Sequence, residues 1–293
     1  MWFKKLTLAV KTQNQLTKMQ VLQLYFKILD RISPTLAAHK MYTVMTNPRV
    51  RKLRDFEEQV LNQAKQKRIP FKGFEIQTYC WGSKEGKTAL MVHGWEGQAG
   101  NFGSIIPELV NQGYQVVAYD APAHGRSSKG KTNMFDIPDL TGSLLTEYRP
   151  ELIISHSFGS VITAMSLKKH MDVRIKNWIM ITTPYIYINY IKGVTKYFGL
   201  SQKTFKKLIK LVEVNLGEPI ENLNMASYCA SLENIEEATI IHSIKDKVIP
   251  INSARKTNAG FKKSQLIELD NLGHYGILWS DQTKEVIKKL IAK

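Results

Sequence analysis

The sequence predicts an α/β fold with a mostly parallel central sheet and helices on both faces. Short apolar runs rich in β-branched residues, at 89–92, 116–119 and 152–154, are bounded by turn residues. Such runs are typical of parallel strands that are buried on both faces. Helical patterns separate the runs, and 293 residues with 43% hydrophobic content are enough to bury one large core.

Strands and helices alternate through the rest of the chain. The predicted strands lie near 88–93, 115–120, 151–156, 179–181, 238–242 and 265–269. We predict helices near 100–112 and 135–148 between them, and a final helix from about Gln282 to Ile291. This βαβ order indicates parallel strands that are connected by helical crossovers.

Residues 1–70 predict a helical extension that precedes the sheet. Apolar residues repeat at helical spacing as far as Ser33-Pro34, and a second helical stretch is predicted to end near Ile69-Pro70. The apolar stretch before Lys11 is too short for a secretory signal, so we predict that residues 1–10 begin a helix.

The chain is basic, with a formal net charge of +16. Residues 1–70 contain fourteen Lys and Arg but only four Asp and Glu. The basic residues are scattered and no nucleic-acid motif accompanies them, so we predict no nucleic-acid partner. Weak peripheral membrane association through the basic N-terminal helices stays open. No run approaches the roughly 20 apolar residues of a membrane-spanning helix.

Two distant cysteines, Cys80 and Cys229, favour a cytoplasmic location.

The segment that points to chemistry is Ser155-His156-Ser157-Phe158-Gly159, where a predicted strand runs directly into a predicted helix. It differs by one residue from the G-x-S-x-G nucleophile elbow, in the strand–turn–helix context that this motif requires. Such a turn presents the serine hydroxyl to a base. Ser157 is therefore the candidate nucleophile, and a coincidental strand-to-helix turn is the alternative.

Candidate partners for this serine follow two later strands. Asp246 lies just past the run at 238–242, and His274 lies in a Gly-flanked loop before the last helix. The order Ser, Asp, His is the order that a catalytic triad takes in this kind of sheet. Turn and loop roles are the alternatives for Asp246 and His274 taken singly.

Backbone N–H groups near the nucleophile are candidates for an oxyanion hole. The strand at 89–92 ends in His93-Gly94-Trp95, so we predict the amides of Trp95 and Phe158 as the two donors. His93 is predicted to orient its own loop.

Asp120 and His124 lie in a loop rich in Pro and Gly that follows the next strand. They leave open an alternative triad or a metal site, and a rigid structural turn is favoured because no second ligand set has metal spacing. We predict no metal and no organic cofactor.

Together these motifs resemble the α/β-hydrolase superfamily over about residues 72–293, and within it the esterase and lysophospholipase-like members. Ala123 and Ser155 stand where the family pattern usually has Gly. The resemblance implies the α/β-hydrolase fold over 71–293, with a helical lid at about 185–235.

The expected function is hydrolysis of a small carboxylic ester through a Ser157–His274–Asp246 triad and an acyl-enzyme. Thioesterase, amidase and perhydrolase activity on the same triad are alternatives, and so is a non-catalytic binding protein on this scaffold. The substrate, its acyl chain length and the oligomeric state stay open.

Overall fold

The computed structural model describes residues 19–49 and 52–292, and within them an eight-stranded sheet. The strands are β1 (Lys65–Phe71), β2 (Phe74–Trp81), β3 (Thr88–Val92), β4 (Gln115–Tyr119), β5 (Leu152–His156), β6 (Ile175–Ile181), β7 (Ile235–Ser243) and β8 (Ser264–Leu269). Their spatial order is β1-β2-β4-β3-β5-β6-β7-β8. Strands β3 to β8 pair in parallel, while β1 and β2 pair antiparallel at one edge. The predicted mostly parallel sheet is confirmed.

The central strands are buried along their whole length. Every residue of β4 and β5 is buried. In β3 the first residue is half-buried and the other four are buried. Helices on both faces produce this pattern, because a strand with one face in water would alternate. The helices of this part of the chain are α3 (Asp55–Asn62), α4 (Ile106–Asn111), α5 (Ile137–Tyr148), α6 (Phe158–Lys169), α9 (Met225–Ala230), α10 (Ile251–Gly260) and α11 (Asp281–Ile291).

The prediction that a helix continues to Pro70 is wrong. Helix α3 ends at Asn62, and residues 65–71 form the edge strand β1. Strand β1 turns into β2 through Lys72 and Gly73, which both have positive φ, as a tight hairpin requires. Pro70 is compatible with this strand because an edge strand leaves some N–H positions unpaired.

The described residues fall into two compact units. One unit holds residues 46–186 and 224–293, and therefore the whole sheet; the other holds residues up to Met45 together with Tyr187–Leu223. The predicted start of a helix at residues 1–10 lies outside the described residues.

The second unit is helical and joins two distant parts of the chain. Its helices are α1 (residues 19–32), α2 (Pro34–Met45), α7 (Tyr187–Phe198) and α8 (Gln202–Leu216). The buried carboxylate of Asp30, on α1, accepts hydrogen bonds from the backbone N–H and the hydroxyl of Ser201, which caps α8, and from the hydroxyl of Thr204. Phe26 packs edge-on against Phe198 at 5.2 Å between ring centres. The N-terminal helices and the insertion thus share one core.

Within residues 19–49 and 52–292, no helix has both the length and the apolar character needed to cross a bilayer.

Candidate active site

Ser157 lies at the turn between β5 and α6. Its backbone has φ 54° and ψ −126°, a conformation that is strained for a residue with a side chain. The Ser157 N–H donates to the carbonyl of Ile181 at 2.9 Å, which ties the turn to the end of β6. The strained turn is the local geometry that the nucleophile-elbow motif predicts.

Two glycines allow the loops around Ser157 to pass close to one another. A Cβ atom on Gly159 would lie 2.2 Å from the carbonyl oxygen of Val92. A Cβ atom on Gly94 would lie 2.9 Å from the carbonyl oxygen of His156 and 3.0 Å from the Ser157 Cβ. Glycine is needed at both positions because no other side chain fits these distances.

Ser155, which stands at the usual glycine position of the motif, uses its hydroxyl for buried hydrogen bonds. Its side chain is fully buried, and its hydroxyl accepts a hydrogen bond from the indole N–H of Trp178 at 2.9 Å. The same hydroxyl shares a hydrogen bond with Ser160 at 3.0 Å. The hydroxyl therefore satisfies a buried indole donor from the neighbouring strand β6.

The structure brings Ser157, His274 and Asp246 into one chain of hydrogen bonds. The Nε2 atom of His274 lies 3.1 Å from the Ser157 Oγ, and its Nδ1 atom lies 2.8 Å from Oδ2 of Asp246. The three residues follow β5, β8 and β7 respectively, so they meet at the carboxyl edge of the sheet. An imidazole between a hydroxyl and a carboxylate is the arrangement that activates a serine.

The carboxylate of Asp246 is buried and held from two sides. Its Oδ1 atom accepts hydrogen bonds from the backbone N–H groups of Val248 at 2.7 Å and Ile249 at 3.0 Å. Burial alone raises the pKa of the Asp246 carboxyl, but the hydrogen bond from His274 and the two backbone donors outweigh burial and hold the pKa below its usual value. Asp246 is therefore ionised at neutral pH.

Two buried histidines support the site, and sequence reasoning missed both roles. The Nε2 atom of His156 lies 2.9 Å from the carbonyl oxygen of His274, and burial lowers the pKa of His156 to about 3. The His156 ring is thus neutral and donates its N–H to the main chain of His274. His242 bonds the carbonyl of Ile249 in the same way, at 2.9 Å. The position of His156 directly before the nucleophile is the only sequence signal for its role.

The predicted oxyanion donors lie on two adjacent loops. Phe158 directly follows Ser157 and is the first residue of α6. Trp95 follows Gly94, and a Cβ atom placed on Gly94 would lie 3.3 Å from the backbone nitrogen of Phe158. The geometry leaves both amides as candidates for an oxyanion site, which stays a prediction.

His93, His124 and Asp120 hold neighbouring loops together through hydrogen bonds. His93 bonds the Gly94 carbonyl through Nδ1 and accepts from the Ala121 N–H through Nε2. His124 is buried, which lowers its pKa to about 3; its Nε2 atom accepts from the backbone N–H of Glu96, and its Nδ1 atom bonds the carbonyl of Pro122. The carboxylate of Asp120 accepts from Tyr79 and from two backbone N–H groups. Within the described residues, no group of three or more His, Cys, Asp or Glu has a geometry that could hold a metal ion.

Comparison with known proteins identifies relatives of this chain. The family model described as "Serine aminopeptidase, S33" (Hydrolase_4) matches residues 83–243, which is more than half of the chain. A serine hydrolase-like protein of Danio rerio is 29% identical over 127 residues, which cover 40% of this chain and 38% of that protein. The chain therefore matches less than half the length of this relative.

Solved structures match over a larger part of the chain. The Pyrococcus furiosus esterase Pf2001 is 20% identical with a TM-score of 0.59, and covers 84% of this chain and 94% of its own. A bacterial membrane phospholipase A is 14% identical with a TM-score of 0.60, and covers 96% of this chain and 98% of its own. At these identities the likeness concerns the fold alone.

Proposed function

The chain belongs to the Hydrolase_4 family and is a serine hydrolase of the α/β-hydrolase superfamily, and from that premise we propose that it cleaves carboxylic esters through Ser157, His274 and Asp246. The observation that carries the proposal is the hydrogen-bond chain from the Ser157 hydroxyl through His274 to the ionised carboxylate of Asp246. A binding protein without catalysis has no use for this buried ion and its aligned imidazole.

The first step in the proposed reaction is attack of the Ser157 oxygen on the ester carbonyl. His274 takes the hydroxyl proton at Nε2, and the Asp246 carboxylate stabilises the imidazolium that forms. The amides of Trp95 and Phe158 bind the negative charge that develops on the carbonyl oxygen; losing one such donor lowers the rate by about 10²–10³-fold. His274 then gives its proton to the leaving alcohol, and an acyl-enzyme is left on Ser157.

The second step releases the acid. Water enters the position of the departed alcohol, His274 takes one of its protons, and the hydroxide attacks the acyl carbonyl. The Ser157 oxygen leaves and recovers its proton from His274. The cycle consumes one ester and one water and yields an alcohol and a carboxylic acid.

We further propose that the insertion at about 185–235 acts as a lid that selects the substrate. Helices α7 and α8 of this insertion belong to the helical unit and carry Tyr, Phe, Leu and Ile side chains suited to an acyl chain.

Free Cys80 and Cys229 agree with a reducing, cytoplasmic compartment.

The decisive experiment compares p-nitrophenyl esters of increasing acyl length with matched thioester and anilide substrates. Ester hydrolysis is expected to dominate, and Ser157→Ala is expected to abolish it. Ser143→Ala is the matched control, because this exposed serine hydroxyl donates only to a backbone carbonyl on α5. Retained ester hydrolysis in Ser157→Ala would refute the assignment. Faster turnover of the thioester or anilide would assign a different acyl bond to the same triad.

A further inference from the structure

Helix α1 carries apolar side chains on the face that points into solvent. Val21, Leu24, Tyr25, Ile28 and Ile32, here named the apolar stripe, are each between 46% and 75% exposed. Their spacing of three and four residues places them on one side of an α-helix. A surface helix normally turns polar side chains outward, so this stripe is the reverse of the usual pattern.

The opposite face of α1 is occupied by the packing of its own helical unit. Phe26 is 1% exposed and contacts Phe198, and Asp30 is buried in hydrogen bonds with Ser201 and Thr204. The helix is therefore held in a fixed rotation, and the apolar stripe cannot turn inward without breaking these contacts. A large exposed apolar face of this kind marks an interaction surface.

The charges of these helices point to an anionic partner. Lys27, Arg31 and Lys40 are exposed, whereas Asp30, the only acidic residue between 19 and 45, is buried. Every accessible charged side chain of α1 and α2 is therefore basic. In the sequence before them, residues 1–18 hold four lysines and no acidic residue.

Two further features match the chemistry of a lipid surface. Exposed Tyr197 lies beside α1, because its carbonyl accepts from the Gln23 side chain, and tyrosines are enriched at the membrane–water interface. The same spacing of apolar residues occurs earlier in the sequence. Phe3, Leu6 and Val10 stand 18 positions before Val21, Leu24 and Ile28.

We propose that the apolar stripe docks the protein on the surface of an anionic lipid bilayer, with α1 lying in the plane of the interface. The apolar side chains enter the boundary between headgroups and acyl chains, while Lys27 and Arg31 contact lipid phosphates. Basic residues near such a surface strengthen binding to anionic lipid. The stripe shares no residue with the triad, so docking and ester hydrolysis are independently testable.

The test measures binding of the full chain to sedimented vesicles. One set contains phosphatidylglycerol and phosphatidylcholine, and the other contains phosphatidylcholine alone. The wild-type protein is expected to bind the anionic vesicles about tenfold or more tightly, and to be released by about 1 M NaCl. Leu24→Glu/Ile28→Glu is expected to weaken this binding by about tenfold or more, because it removes two apolar contacts and adds two negative charges.

The control variant is Met171→Glu/Val214→Glu, which makes the same charge change at two exposed apolar positions outside the stripe. It is expected to retain most of the binding, and both variants are expected to melt within about 3 °C of the wild type. Equal loss of binding in both variants would overturn the proposal, since net charge alone would then explain it. Absence of wild-type binding to anionic vesicles would also overturn it, as would a dimer that requires the stripe and binds no lipid.

Discussion

Replacing Asp246 with asparagine changes one atom in the buried contact with His274. In the wild type, Oδ1 accepts from the N–H groups of Val248 and Ile249, and Oδ2 faces Nδ1 of His274. The asparagine oxygen is expected to keep the two backbone donors, which places its NH₂ group against Nδ1. An amide that donates to Nδ1 drives the ring proton to Nε2, the atom that must accept the proton of Ser157.

The expected loss follows from this wrong tautomer. A triad with an asparagine in the acidic position falls by about 10⁴-fold in kcat, which corresponds to about 5 kcal/mol of activation free energy. Initial rates on p-nitrophenyl butyrate measure the loss, and Asp270→Asn, at an exposed position, is the matched control. If Asp246→Asn keeps more than about a tenth of the wild-type kcat, Asp246 does not set the tautomer of His274.

The same substitution also changes how stability depends on pH. Because the pKa of the folded Asp246 carboxyl is held below its unfolded value of about 3.9, its stabilising contribution is complete above about pH 4. This contribution is lost as the pH falls through the lowered folded-state pKa. The difference in free energy of unfolding between the wild type and Asp246→Asn should therefore shrink below about pH 4. A difference that stays constant there would contradict the ionised, hydrogen-bonded carboxylate.

Two further predictions concern buried groups around the elbow. Ser155→Gly restores the usual motif residue but leaves the Trp178 indole N–H unpaired. The free energy of unfolding, measured in urea titrations, should therefore fall by about 1–3 kcal/mol while ester hydrolysis persists. Unchanged stability would contradict this role of the Ser155 hydroxyl. Burial lowers the pKa of His124 and His156 to about 3 each, below the unfolded value of about 6.5. The unfolded chain binds these protons first, so the free energy of unfolding should fall by about 1.4 kcal/mol per pH unit for each residue from about pH 6 downward. Urea titrations at about pH 7 and about pH 5 measure this slope, and a flat profile would contradict the lowered pKa values, since the folded and unfolded chains would then bind equal numbers of protons.

The parts of the fold that sequence patterns predicted correctly depend on local signals. Buried β-branched runs marked the parallel strands, and β5 lies within one residue of its predicted range. The positions of Ser157, Asp246 and His274 after separate strands predicted that they meet, because parallel strands share a carboxyl edge. The distances that join them are properties of the folded chain.

What the sequence did not reveal depends on contacts between distant residues. Strand β1 has basic residues at three of its seven positions, and only pairing with β2 makes it a strand. The role of Ser155 requires Trp178 on the neighbouring strand, and Asp30 meets Ser201 from 171 positions away. No periodicity in either segment predicts such a partner.

Reaction with a fluorophosphonate probe tests the role of Ser157 most directly, because the probe phosphonylates a serine only when a base activates it. The wild-type protein is expected to gain the mass of one probe per chain, and peptide mapping is expected to place it on Ser157. Ser157→Ala is expected to gain none. A wild-type chain that stays unlabelled, or a Ser157→Ala chain that labels at the wild-type rate, would contradict a catalytic triad built on Ser157.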